Sequence, residues 1–248
     1  MKIYKAILCL VGKFRKYFQR HRVSKYEKFL QLMDLYCSSV NCPTQIEKTL
    51  EKLSYDGSKQ SPWSFVSKHS NLNAISMDDI AKNVVRKLYY PKTTKDDESP
   101  ASVDAFLIDS NGFWYFVEFK NQRLDSDSSA RKMHQKCIEK SYANVYWLLK
   151  ILEDLKKKEL FSFKSFEPQS KDIEPLDFVK KYCKYILVLG RDTDTNILGK
   201  IKNAKLANMP SSEAMPFLKK LSSYIFNSAD VYGYEQFDDD FVKNFKYS

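Results

Sequence analysis

Three charged residues lie near the ends of two apolar runs in the segment 103–122, VDAFLIDSNGFWYFVEFKNQ. Asp104 lies near the start of the first run, and Glu118 and Lys120 lie near the end of the second. Burying an isolated charge is costly unless the charge is paired or binds a metal ion. Two carboxylates and a lysine can together hold a divalent cation and act on a phosphate group.

The Asn-Gly pair at 111–112 predicts a hairpin between the two runs, but it allows two registers. A two-residue type I′ turn would pair Ser110 with Phe113. Asp104 and Glu118 would then lie on opposite faces of the sheet, because side chains alternate along a strand. The two acids could not act together in that register.

A three-residue loop over 110–112, with Gly112 in the left-handed conformation, gives the other register. Asp104 then lies directly across from Glu118, and Lys120 shares their face. The sequence does not choose between the two turns. The chemistry favours the second, because it brings the charged residues together. Both faces of the hairpin are otherwise apolar, so we expect its strands to be central in the sheet and covered on both sides.

Two facing carboxylates repel each other, and a divalent cation relieves the repulsion. Carboxylate oxygens suit Mg²⁺ or Mn²⁺. Lys120 would point at the same place, where it could stabilise a pentavalent phosphate or help to deprotonate an attacking water. Without metal, removing either acid is expected to leave the melting temperature unchanged or to raise it. A structural ion cluster at the sheet end is the alternative, and it predicts a lower melting temperature.

Periodicity and capping signals predict the elements around the hairpin. An amphipathic helix is expected at 3–18 and a second helix at about 24–37. Ser, Asn, Gly and Pro make 55–75 a loop or boundary, and a continuous apolar run makes 184–190 a buried parallel strand. Three more helices are expected at 43–53, opened by a capping box of Pro43-Thr44 with Glu47, at 76–89 and at 128–157, with two or three further helices in 196–248. This order predicts an α/β domain with a mixed sheet.

The same order of elements resembles the PD-(D/E)xK nuclease superfamily. Its pieces here are Val103-Asp104, Glu118-Phe119-Lys120, the long helix from about residue 128 and the strand 184–190. The resemblance covers roughly residues 76–192. It implies a restriction-endonuclease-like core, with a mixed central sheet flanked by helices, that hydrolyses phosphodiester bonds with Mg²⁺ or Mn²⁺.

The resemblance also implies roles for these residues. Asp104 and Glu118 would be metal ligands, helped by the backbone carbonyl of Phe119, and Lys120 would be the catalytic lysine. The residue before Asp104 is Val103, where the superfamily pattern has proline. The strand expected before Asp104 is not evident, and KLYYP at 87–91 is one candidate.

Two accessory residues have competing interpretations. Superfamily members often add an acid from the first core helix, and Asp79 is the nearest candidate. Asp79 fits equally as the capping partner of Ser76. Gln122, just past the second strand, either orients water or ends the strand.

The charge is concentrated at the N-terminus. The chain of 248 residues has a formal charge of +10, and residues 1–30 hold nine basic residues against one acid. Such a segment favours an anionic partner. We therefore expect nucleic acid, specifically DNA, as the partner, and a division into a basic helical segment, 1–60, and a nuclease domain, 61–248, with its C-terminal helices in 193–248. Six basic residues are candidates for DNA contacts: Lys13, Lys16, Arg20, Lys132, Lys136 and Lys140.

Other functions remain open at this stage. The five cysteines form no CxxC motif, which is typical of free thiols in a reducing cytosol. No apolar run approaches the roughly 18 residues of a membrane span, so we expect a cytoplasmic protein without a transmembrane segment. The alternatives to a nuclease are a non-catalytic member of the same fold that binds nucleic acid or protein, and a peripheral membrane or assembly protein that uses the basic helix 3–18.

Overall fold

The structure, a computed structural model, describes most of the chain. The described ranges are 23–57, 63–67, 71–90, 99–124, 127–166, 173–207, 209–210 and 215–247. The helix predicted at 3–18 lies outside them, and so do three of the candidate DNA contacts, Lys13, Lys16 and Arg20.

A six-stranded mixed sheet forms the centre of the described part of the chain. Its strands are β1 (Glu47–Thr49), β4 (Asn73–Ser76), β5 (Ala105–Ile108), β6 (Trp114–Lys120), β7 (Cys183–Leu189) and β8 (Ser228–Gly233), in the spatial order β1-β4-β5-β6-β7-β8. The pairs from β1 to β6 are antiparallel, and β7 and β8 continue the sheet in parallel. The strands β2 (Tyr55–Asp56) and β3 (Trp63–Ser64) form a separate two-stranded sheet.

Helices cover the sheet. They are α1 (Lys25–Ser39), α2 (Leu50–Leu53), α3 (the consecutive segments Met77–Ile80, Ala81–Val85 and Arg86–Tyr89), α4 (Asp127–Lys157), α5 (Pro175–Tyr182), α6 (Thr195–Leu206), α7 (Phe217–Tyr224) and α8 (Tyr234–Gln236 with Phe237–Val242). A short 3₁₀ turn occupies Phe163–Ser165. The helices α4 and α5 connect β6 to β7, as a parallel pair requires. The predicted α/β architecture with a mixed, helix-flanked sheet is confirmed.

The helix α1 begins at a capping box. The side chain of Ser24 accepts a hydrogen bond from the Glu27 amide, and the Glu27 carboxylate accepts one from the Ser24 amide. These contacts satisfy amides that the first turn leaves without helical partners. The buried face of α1 packs directly on the sheet, since the Phe29 ring lies 5.1 Å from that of Phe106 and 4.9 Å from that of Trp114. The helix is therefore part of the same core as β5 and β6.

The two faces of the hairpin enter two different cores. Phe106, Trp114 and Phe116 pack with α1 and α4 in the larger cluster. Ala105 and Val117, one residue away along each strand, pack in the smaller cluster with α8. The alternation predicted from the sequence is thus observed. It explains why both runs are apolar almost throughout.

The hairpin has the three-residue loop. The cross-strand pairs run from Ala105 with Val117 to Ile108 with Trp114, which is the register of the second alternative. Gly112 has φ +83°, a conformation that is unfavourable in free energy for any residue that has a Cβ. Its amide donates to the Asp109 carbonyl at 3.0 Å. The register that places Asp104 and Glu118 on one face is therefore confirmed.

Three sequence predictions about elements were wrong. Residues 47–49 form strand β1 instead of a helix opened by Thr44, and Thr49 caps the short helix that follows. The strand that precedes β5 in the sheet is β4, within the segment predicted to be a loop, while Lys87 to Tyr89 are helical. The C-terminal region contributes strand β8 as well as helices. Short strands of three to six residues give weak periodicity, and their pairing partners decide their conformation.

Candidate functional site

The hairpin brings the two carboxylates of the site together. Asp104 lies just before β5, where its amide donates to the Val117 carbonyl at 3.1 Å. Its Oδ2 accepts a 2.6 Å hydrogen bond from the Phe119 amide. The neighbouring residue Glu118 points to the same face and is fully buried. The backbone of β6 thus fixes Asp104 beside Glu118.

Two lysines neutralise this acid pair. Lys120, at the end of β6, places Nζ 2.5 Å from Oε1 of Glu118. Lys140, on α4, places Nζ 2.8 Å from Oε1 and 3.0 Å from Oε2 of the same carboxylate. The Lys140 ammonium also lies 3.7 Å from Oδ1 of Asp104. A single cation therefore contacts both acids, and the four charges cancel when both acids are ionised.

Lys140, a candidate DNA contact by its sequence, lies in the site, a place that its sequence position was not taken to indicate. Two hydrogen bonds within α4 surround it. The Lys140 carbonyl accepts a 2.8 Å hydrogen bond from Nδ2 of Asn144, and the Cys137 carbonyl accepts one of 2.7 Å from Ser141. The available signal was position: Lys140 lies three residues after Cys137, which belongs to the apolar stripe. Lys132 and Lys136, earlier on α4, are exposed.

Burial and charge shift the protonation of the site. Desolvation and the neighbouring Glu118 carboxylate raise the pKa of Asp104 to about 7, although both lysines and the Phe119 amide act in the opposite direction. Desolvation alone would lower the pKa of Lys140. The carboxylates of Glu118 and Asp104 outweigh it, so the pKa of Lys140 rises and its ammonium stays charged.

The raised pKa of Asp104 predicts a pH dependence of stability. The native state keeps a proton on Asp104 up to about pH 7, whereas the unfolded chain loses it near pH 4. The native state thus binds more protons between these values, so this contribution to stability is complete below about pH 4 and disappears as the pH rises through 7. Urea unfolding of the metal-free protein between pH 4 and 8 measures it. The free energy of unfolding of Asp104→Asn should lack this pH dependence. Parallel plots of unfolding free energy against pH for the two proteins would contradict the raised pKa of Asp104.

The other predicted accessory residues do not join the acid pair. The amide of Asp79 donates to the Ser76 hydroxyl at 3.3 Å, and its carboxylate pairs with Lys48. Ser76 thus caps the helix as predicted, but the Asp79 carboxylate does not complete a capping box, because the Ser76 amide donates to the Ile46 carbonyl. The neighbouring Asp78 accepts a hydrogen bond from the Ser102 hydroxyl. Its negative charge adds to the raised pKa of Lys140. Gln122 is half-buried, and its carbonyl accepts a 3.5 Å hydrogen bond from Thr193.

Asn121, directly after Lys120, ties the ends of β6 and β7 together. Its Nδ2 donates to Oδ2 of Asp56 at 2.8 Å and to Oδ2 of Asp192 at 3.2 Å, and its Oδ1 accepts from the Asp192 amide at 3.0 Å. These contacts need glycine at position 190, because a Cβ there would lie 2.4 Å from Oδ1 of Asn121. The close approach holds the strand end that carries Lys120.

Replacing Gly190 with alanine is therefore expected to lower the melting temperature. The added methyl group must displace the Asn121 side chain and its hydrogen bonds, at a cost of about 1–3 kcal/mol. Gly199→Ala is the matched control, because a Cβ at Gly199 in α6 meets nothing within 4 Å. Alanine should stabilise that helix by about 0.5–1 kcal/mol. Equal effects of the two substitutions in thermal melts would rule out the close approach at Gly190.

The acid pair provides a small donor set for a metal ion. Within the described ranges, no group of three or more His, Cys, Asp or Glu side chains could hold a metal. Two carboxylates nevertheless suit Mg²⁺, which usually keeps several waters and binds through one or two carboxylates. Phe119 directly follows Glu118 in sequence, and its amide already orients Asp104. The donor set therefore fits Mg²⁺, provided that Lys140 gives up its position.

Comparison of the chain with family models, with curated proteins and with solved structures found no match. Among the described helices, none is both long enough and apolar enough to cross a membrane. The function of the chain is therefore inferred from the geometry of the site.

Proposed function

We propose that the chain is a metal-dependent nuclease that hydrolyses phosphodiester bonds of DNA. One observation carries the proposal: a single ammonium group, that of Lys140, contacts both Asp104 and Glu118. The position between the two carboxylates thus already binds a cation. One buried and one partly exposed carboxylate beside a lysine could hold a divalent cation that acts on a phosphate.

Each residue has a separate part in this proposal. Asp104 and Glu118 would hold Mg²⁺ or Mn²⁺, and the ion would polarise the attacked phosphate and favour ionisation of the attacking water. The Phe119 amide keeps the Asp104 carboxylate in place. Lys120 remains about one-fifth exposed while it contacts Glu118, so its ammonium can also meet a phosphate oxygen from solvent.

Charge outside the site supports a polyanionic substrate. Lys132 and Lys136 are exposed on α4, the helix that also carries Lys140. Together with the basic segment at residues 1–30, they would attract a phosphate backbone without reading its sequence. This role of the two lysines is part of the proposal.

A cleavage assay on single-stranded and double-stranded DNA and RNA, with Mg²⁺, Mn²⁺ or EDTA, tests the function. The wild type should cut DNA with either metal and not with EDTA. Asp104→Asn should be inactive, and Glu139→Gln, which changes an exposed acid on α4, should retain activity. No cleavage of any substrate, or equal cleavage by Asp104→Asn, would overturn the proposal.

A second candidate is favoured by the charge balance of the site. Two acids and two lysines in mutual contact also describe a structural ion cluster of a non-catalytic binding domain. That candidate predicts binding of nucleic acid or protein without cleavage and without a response to metal. Thermal melts with and without Mg²⁺ separate the two, because a ligand stabilises only the state that binds it.

A further inference from the structure

Glu118 is closed off from solvent by two lysines. Its side chain has no exposed surface, whereas those of Lys120 and Lys140 are 20% and 23% exposed. Oε1 contacts both ammonium groups, and Oε2 contacts Lys140 at 3.0 Å. A metal ion that arrives from solvent must therefore displace a lysine before it reaches this carboxylate.

Lys140 occupies the position that a bridging metal ion would take. Its Nζ is within 3.0 Å of both oxygens of Glu118 and 3.7 Å from Asp104. With Lys120 it brings the charge of the acid pair to zero. A divalent ion added between the same oxygens would repel the ammonium strongly, because both cations would lie a few ångströms apart in a poorly solvated site.

A lysine ammonium is a compact charge on a flexible chain of four carbons, so it can change partners while its backbone stays fixed. The hydrogen bond from Asn144 to the Lys140 carbonyl keeps that part of α4 in place.

We propose that Lys140 is a built-in competitor of Mg²⁺ for Asp104 and Glu118, and that Mg²⁺ binds by displacing its ammonium from these two carboxylates. The inference rests on the proposed function, since it assigns the metal to the same two acids. It keeps Glu118 closed to solvent in the metal-free protein, and it sets the Mg²⁺ concentration at which the site fills. The displaced ammonium remains beside the metal, where it can contact a substrate phosphate.

Mg²⁺ binding to the full chain, measured by calorimetry and by thermal melts, tests the competition. Lys140→Met keeps the length of the side chain and removes its charge, so Mg²⁺ should bind at least about tenfold more tightly than to wild type. Lys150→Met, which removes an exposed lysine of α4, should leave the affinity unchanged.

Lys140→Met should also melt at a lower temperature than wild type without metal, and added Mg²⁺ should reduce this difference in melting temperature. Equal or weaker Mg²⁺ binding by Lys140→Met would overturn the inference, and so would a variant that stays unfolded at every Mg²⁺ concentration. The proposed function fails separately. Tight Mg²⁺ binding by Lys140→Met without cleavage of any nucleic acid would leave the competition intact and refute the nuclease, whereas cleavage with unchanged affinity would do the reverse.

Discussion

Glu118→Gln is expected to abolish metal-dependent cleavage and to destabilise the fold at the same time. The carboxylate is fully buried and contacts the ammonium groups of Lys120 and Lys140. A neutral amide leaves two lysines with one acid in a poorly solvated site, which costs roughly 3–5 kcal/mol. Loss of a metal ligand removes stabilisation of the charged transition state, so the rate should fall on the order of a hundredfold or more.

Two measurements separate these effects. Cleavage should be compared at a temperature well below the melting point of the variant, where the protein is folded. Glu139→Gln on the exposed face of α4 is the matched control, and it should change neither the rate nor the melting temperature. A Glu118→Gln protein that melts like wild type would show that the lysine contacts contribute little. One that cleaves like wild type would exclude Glu118 as a metal ligand.

Phe29→Ala is expected to destabilise the whole domain by about 3–5 kcal/mol. The ring is 1% exposed and lies among Phe106, Trp114 and Phe166 at centroid distances of 5.1, 4.9 and 6.0 Å. Removing it leaves a cavity between α1 and the hairpin that carries the site. One cooperative transition at lower urea concentration is the expected result.

Tyr224→Ala is the control for aromatic loss at the surface, since Tyr224 is 77% exposed. It should change stability by no more than about 0.5 kcal/mol. If Phe29→Ala instead melted in two steps, or only as weakly as the control, then α1 would be an independent element that rests on the sheet. That outcome would contradict the packing of α1 into the larger core with β5 and β6.

Much of the fold around the site could be predicted from the chemistry of short sequence segments. The Asn-Gly pair with Gly112, and the need to satisfy Asp104 and Glu118 together, led to the observed register. Ser76 and Asp79 predicted the start of α3, and continuous apolar runs predicted β6 and β7. In these segments a few adjacent residues determine the conformation, so no distant contact is needed to recognise it.

Long-range contacts account for the rest. Lys140 lies 22 residues from Glu118 along the chain, and its charge looks like that of any lysine on a helix until α4 is placed against the sheet. The presence of Lys140 also changes the effect on the melting temperature that the sequence predicts for removal of Glu118. Removal of Glu118 no longer relieves only repulsion between acids, because it leaves two lysines without their shared partner. The strands β1, β4 and β8 were missed for a related reason, since pairing creates them.

The local hairpin and the distant lysine give the folding pathway an electrostatic order. The hairpin closes through a loop of three residues and brings Asp104, Glu118 and Lys120 together with a net charge of −1. Lys140 reaches them only when α4 docks, and contacts between distant parts of a chain form later than local ones. During that interval the repulsion between the two acids is offset only by Lys120 and by protons or cations from solution. Mildly acidic solution therefore favours early closure of this hairpin, and the docking of α4 later supplies the positive charge from within the protein.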